Sequence, residues 1–124
     1  MGHIIRGDIN EGWAHSGFVV AGDFVFLSYC VGNIGKSFEE QIHGALDHME
    51  KRLTQINLTL SDVVHLDILM RDAWNIPIME KVFHERFKGQ YPARKTIQTD
   101  FAHAGGPDGL LVQIDGIAYL GENK

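Results

Sequence analysis

Arg94 carries the clearest chemical signal in the chain. It sits in Tyr91-Pro92-Ala93-Arg94-Lys95-Thr96-Ile97-Gln98-Thr99-Asp100-Phe101. Pro92 bars the preceding segment from continuing as a helix, and the residues after it read as a strand of period two. Arg94, Thr96, Gln98 and Asp100 then share one face, with Lys95, Ile97, Thr99 and Phe101 opposite. Neither face is cleanly apolar, and buried polar groups must be paired, so this strand needs something to bind. An arginine fork fits a carboxylate through two parallel hydrogen bonds and stays charged, which makes a small carboxylic acid its natural ligand. The plainer alternative places Arg94 on a solvated edge or pairs it with a carboxylate such as Asp115. A second run, Leu110 to Ala118, puts Leu111, Gln113, Asp115 and Ile117 on one face. A lone amide in that row points to a wet pocket, and the expectation is that Gln113 reaches the cleft holding Arg94.

Other chemistry-bearing residues carry weaker signals. Cys30 is the single cysteine, which excludes an internal disulfide framework and suits a reducing compartment; it reads as a small buried hydrophobe. His43 and His48 fall on a helix at a spacing that brings no third metal ligand, and both read as solvated-face residues. His84 reads as exposed and earns no catalytic role. No metal or cofactor is called for.

The elements that must position these residues follow from patterning. With 124 residues, 44% hydrophobic and 22% charged, residues 1–124 form one globular domain. A formal charge of −5 with scattered Lys and Arg argues against a nucleic-acid partner. No apolar run approaches the roughly 20 residues of a membrane span, and no signal peptide is evident, so the expected location is cytoplasmic.

Ile4-Ile5 could form a short strand in a polar lead-in, and Gly17 to Ala21 and Phe24 to Tyr29 form a hairpin. The second hairpin strand is apolar on both faces and must be covered on both. Ser37 and Glu40 form a capping box for an amphipathic helix running to about Gln55. Val63 to Met70 alternates as a strand, and Asn75 caps a second helix that ends at Gly89. The order predicts an α+β domain, a mixed sheet with two helices packed on one face. More apolar strand surface remains than two helices can cover.

Five ordered pieces from about Gly12 to Ala118 carry a resemblance. They are Gly22-Asp23-Phe24-Val25-Phe26-Leu27-Ser28, Ser37 to Gln41, Leu60 to Val64, Tyr91-Pro92-Ala93-Arg94, and Val112-Gln113-Ile114-Asp115-Gly116-Ile117-Ala118. Together they resemble the Rid family, also called YjgF or reactive-intermediate deaminases and often labelled endoribonuclease L-PSP. The resemblance implies a chorismate-mutase-like fold that trimerises, with three clefts at the subunit boundaries. It implies that Arg94 grips the carboxylate of an enamine or imine such as 2-aminoacrylate or 2-aminocrotonate, which is hydrolysed to a 2-oxo acid and ammonia. In the family a glutamate holds the attacking water; Gln113 stands at that position, and it cannot take up a proton at neutral pH.

Ser28-Tyr29 replaces the family's Ser-Gly, Glu80 matches a helix position that is often asparagine, and Trp13 lies near a cleft aromatic. Thr96 and Ser28 would supply cleft hydrogen bonds. Two readings follow: a deaminase in which Arg94 anchors substrate and Gln113 positions water, or a non-catalytic module that binds 2-oxo or other small carboxylic acids. A ribonuclease fits poorly with the acidic chain.

Overall fold

The computed structural model describes residues 3–100 and 109–121. Phe101 and the Gly/Pro-rich loop after it lie outside the described residues. Six strands and two α-helices follow in the order β1 (Ile4–Asn10), β2 (His15–Ala21), β3 (Phe24–Cys30), α1 (Phe38–Thr54), β4 (Val63–Met70), α2 (Ile76–Phe87), β5 (Ala93–Gln98) and β6 (Val112–Tyr119). They form one mixed sheet in the order β1-β2-β3-β6-β4-β5. Its pairs are antiparallel except β4 with β5, the pair joined by the crossover through α2. This is the α+β architecture expected from the element order.

Helix α1 starts where the sequence dictates. Ser37 accepts from the Glu40 backbone while the Glu40 carboxylate accepts from the Ser37 N–H at 3.2 Å. Ile42, Ala45, Leu46, Met49 and Leu53 on its inner stripe are fully buried. They pack on Val25, Leu66, Ile68, Val112 and Ile114 of the sheet. Each large apolar side chain buried in this layer contributes about 1.5 to 3 kcal/mol. Helix α2 adds Met79, Val82, Phe83 and Phe87 to the same core.

Several details depart from the sequence expectation. Strand β1 is a full seven-residue strand rather than an Ile4-Ile5 fragment, paired to β2 from Ile4↔Ala21 to Asn10↔His15. The Asn75 side chain makes no cap bond to α2; Asp72 caps a short 3₁₀ turn that leads into the helix. Lys88, in the left-handed conformation at φ 52°, is the C-cap before Gly89.

Strand β3 bulges between Leu27 and Cys30, so Ser28 and Tyr29 together oppose one stretch of β6 and Cys30 takes the core position. Tyr29 therefore leaves the face of Val25 and Leu27 on which simple alternation puts it. Among the described residues no helix covers the opposite face of the sheet, and Phe24, Phe26 and Tyr119 are exposed there.

Candidate functional site

Arg94 lies on β5, the edge strand. Its partners across the ladder are Leu66 for Arg94, Ile68 for Thr96 and Met70 for Gln98, all on the helix side of the sheet. The sequence grouped these three correctly. At the rim of that side, Arg94 Nη2 donates to Glu80 Oε2 at 3.1 Å and Nη1 donates to Thr96 Oγ1 at 3.2 Å. Glu80 comes from the first half of α2, so the helix and the edge strand each supply one charge. The pair lines a cavity of about 350 Å³ with Phe83, His84, Tyr91 and Pro92.

His84 is exposed, as the sequence suggests, but it is part of this cavity, and its Nδ1 lies 2.8 Å from the Tyr91 hydroxyl. Glu80 and His84 are four residues apart on one helix face, a spacing that could have flagged the histidine. Asp115 is not the partner of Arg94: it sits opposite Asp67 on the other sheet face, where burial and then the Asp67 carboxylate push its pKa up.

Gln113 is likewise on that other face, opposite Leu69. Within one chain it is not in the lining of the cavity that holds Arg94. The row Leu111, Gln113, Asp115 and Ile117 does share a face and is half-buried, as the period predicted.

The remaining expected site residues gather at the opposite end of the molecule. Trp13, in the turn between β1 and β2, and Tyr29, at the bulge, line a second cavity of about 480 Å³ with Asp8, His15, His48 and Arg52. Ser28 adjoins it, its Oγ 3.5 Å from His15 Nδ1, and the Tyr29 ring lies 5.5 Å from the His15 ring. Burial raises the Tyr29 pKa, with Arg52 opposing.

Arg52 falls on the apolar stripe of α1 between Met49 and Leu53, where a charge in that row is the sequence signal for it. It is buried and holds the bulge together. Nε donates to Asp8 Oδ2 at 2.9 Å, and Nη1 donates to the carbonyls of Ser28 at 3.1 Å and Tyr29 at 2.8 Å. Gly17 makes room for this cluster, since a Cβ there would lie 2.6 Å from Asp8 and 2.8 Å from Arg52 Nε.

His48 is not a solvated residue: its Nδ1 meets the Val31 backbone, and burial, then Arg52, lowers its pKa. His43 is also engaged, accepting from Arg86 Nη1 at 2.9 Å. Cys30 is fully buried, and that burial pushes its thiol up to about 11, so it is no nucleophile. Among the described residues, no cluster of three His, Cys, Asp or Glu could hold a metal ion.

A six-stranded mixed sheet with two helices on one face and an arginine at the edge-strand rim defines a small Rid-type domain. The description "Endoribonuclease L-PSP" fits residues 11–120, and the chain belongs to that family, which also goes by YjgF and Rid. Among similar structures, a YjgF-family protein from Streptococcus pyogenes is 60% identical over 96% of this chain and 98% of that one, with a TM-score of 0.90. A YjgF-family protein from Mycobacterium tuberculosis is 26% identical with a TM-score of 0.79, covering 94% of this chain and 99% of that one. A RutC family protein of Pyrococcus horikoshii is 25% identical over 112 residues, 85% of this chain and 86% of its own.

Proposed function

We propose that this protein hydrolyses small enamine or imine acids, of the 2-aminoacrylate or 2-aminocrotonate type, to 2-oxo acids and ammonia. The observation that carries the reading is the Arg94 guanidinium. Among the described residues its bonds to Glu80 and Thr96 use two of the five guanidinium protons, which leaves the others to grip a carboxylate at the wall of a cavity of about 350 Å³. Family membership supports it. In the reaction, the oxygen of water bonds to C2 of the protonated imine, the C–N bond breaks, and the protons of water leave with the nitrogen. No oxidant or cofactor enters. The protein has mainly to orient a reactive molecule, which positioning alone can accelerate greatly.

The working unit in this reading is a homotrimer. The sheet face away from α1 and α2 exposes Phe24, Phe26 and Tyr119, an apolar surface that a second copy would cover. In this reading the cleft is completed by a second chain, which is in keeping with the separation, within one chain, of the Arg94 cavity from the Trp13 and Tyr29 cavity and from Gln113. A cytoplasmic setting belongs to the same reading and suits the reduced Cys30. No helix among the described residues is long and apolar enough to cross a membrane. The net charge of −5 and the carboxylate beside Arg94 count against a nucleic-acid substrate.

Gln113 favours a second reading, a binding module for 2-oxo or other small carboxylic acids, because an amide cannot act as general base. A coupled assay that generates 2-aminoacrylate and 2-aminocrotonate in situ separates the two. Faster 2-oxo acid release with the protein supports the enzyme; Arg94-dependent binding of 2-oxo acids without turnover supports the module. Arg94→Lys should impair either activity nearly as much as Arg94→Ala, since lysine keeps the charge but loses the planar fork. Wild-type turnover and affinity in the lysine variant would remove Arg94 as the anchor.

A further inference from the structure

The carboxylate beside Arg94 needs its own account. An exposed ion pair contributes little to stability, and this one is exposed by 33% on the arginine and 48% on the glutamate side chain. It is nevertheless built into the cavity wall. Glu80 uses one oxygen, Oε2, on Arg94, and Oε1 has no partner among the described residues. Arg94 is steadied on its other side by Thr96 and keeps spare N–H groups. A donor fork and an acceptor oxygen of opposite charge thus stand side by side on one cavity wall, with the Phe83 and Tyr91 rings nearby.

A ligand complementary to that pair carries a carboxylate and, on the adjacent carbon, a nitrogen that is cationic and bears protons. We propose that Glu80 is the specificity-determining residue of this cavity: Arg94 takes the carboxylate, and Glu80 takes the protonated nitrogen on C2. This rests on the function proposed above and names the form of substrate it selects, the iminium tautomer rather than the neutral enamine. A charge-assisted N–H bond to Glu80 favours that form, the one whose C2 is electrophilic toward water. The product is treated in the opposite way. A 2-oxo acid presents an oxygen at C2 that can only accept, and two acceptors facing each other repel. Glu80 therefore retains substrate and expels product, a discrimination that the asparagine common at this position in the family, being uncharged, would not make by charge.

Two ligands with one carbon skeleton test this, 2-aminobutanoate as the stable probe with a cationic nitrogen and 2-oxobutanoate, titrated calorimetrically into the protein. Glu80→Gln keeps the size and removes the charge. It should weaken 2-aminobutanoate and tighten 2-oxobutanoate, each by roughly tenfold, the scale of one charge-assisted hydrogen bond. Arg94→Ala should weaken both. If Glu80→Gln moves both affinities in the same direction, or neither, Glu80 is a structural partner of Arg94 and the proposal is overturned while the anchor stands. If Arg94→Ala leaves 2-oxobutanoate binding unchanged, or neither acid binds the wild type, the anchor itself falls and this inference with it.

Discussion

Arg52 and Arg94 are the same residue type put to opposite uses. Arg52 is 4% exposed and is met by Asp8, the carbonyls of Ser28 and Tyr29, and the Cys30 sulfur. Arg94 is exposed, on an edge strand, with Glu80 and Thr96 as its partners among the described residues. The first guanidinium turns Nε and Nη1 onto partners within its own chain and works as an internal tie. The second keeps donors in reserve at the wall of a cavity. In the proposed function the binding arginine is the exposed one at the rim of the edge strand, and the buried one is tied to backbone carbonyls.

The largest effect expected from this contrast is on stability. Arg52→Ala should destabilise the fold by about 1 to 3 kcal/mol, because the part-buried Tyr29 carbonyl loses its donor and the Ser28 carbonyl keeps only the weak Cys30 thiol. Arg94→Ala should change stability by less than about 1 kcal/mol, as an exposed pair does, while abolishing ligand binding. Urea unfolding of both variants checks the ranking. Equal losses would erase the distinction between tie and anchor.

A smaller effect sharpens the catalytic side. Gln113→Glu should raise deamination by up to roughly 10²-fold, the low end of general-base assistance, if a neighbouring chain brings β6 to Arg94. In a binding module the same change should create activity where none existed. Unchanged deamination, 2-oxo acid affinity and pH dependence would place Gln113 in packing between strands or chains.

What the sequence could tell follows from how local each feature is. The capping box and apolar stripe of α1 involve neighbours along one helix, and they placed it within a residue or two. Strand alternation sorted Arg94 with Thr96 and Gln113 with Asp115 for the same reason. It could not say that these two rows lie on opposite sides of the sheet. That depends on β6 inserting between β3 and β4 while β5 stays outside, and pairing between distant strands leaves no trace in a single strand's period. Tyr29 was misplaced because one extra residue in a bulge resets the alternation after it. Arg52 is legible as a charge in the middle of an apolar stripe, but its partners on β1 and β3 are distant in sequence. Glu80, met as a family position, became a partner of Arg94 only once α2 and β5 were side by side.

The smallest expected effect is a pH dependence confined to the Arg52 end. His48 Nδ1 lies 3.3 Å from the Val31 amide nitrogen and 3.2 Å from its carbonyl oxygen. Burial and then the nearby Arg52 charge, with Lys51 adding slightly, depress the imidazole pKa below its ordinary 6.5; the Val31 carbonyl and Asp8 oppose them. The unfolded chain therefore binds this proton more readily than the folded one. Its contribution to stability is present above pH 6.5 and is lost as pH falls through the depressed folded value. Wild type should accordingly lose stability below pH 6.5 faster than His48→Gln, so the gap between their urea midpoints should narrow from pH 7.5 to pH 5. The Arg94 cavity should contribute nothing to that narrowing, and Arg94→Ala should leave it in place. Arg52→Ala should blunt it, since one of the charges holding the imidazole neutral is gone. A gap that stays constant with pH would mean that His48 titrates alike in both states, and the buried end would then be no more electrostatically coupled than the exposed one.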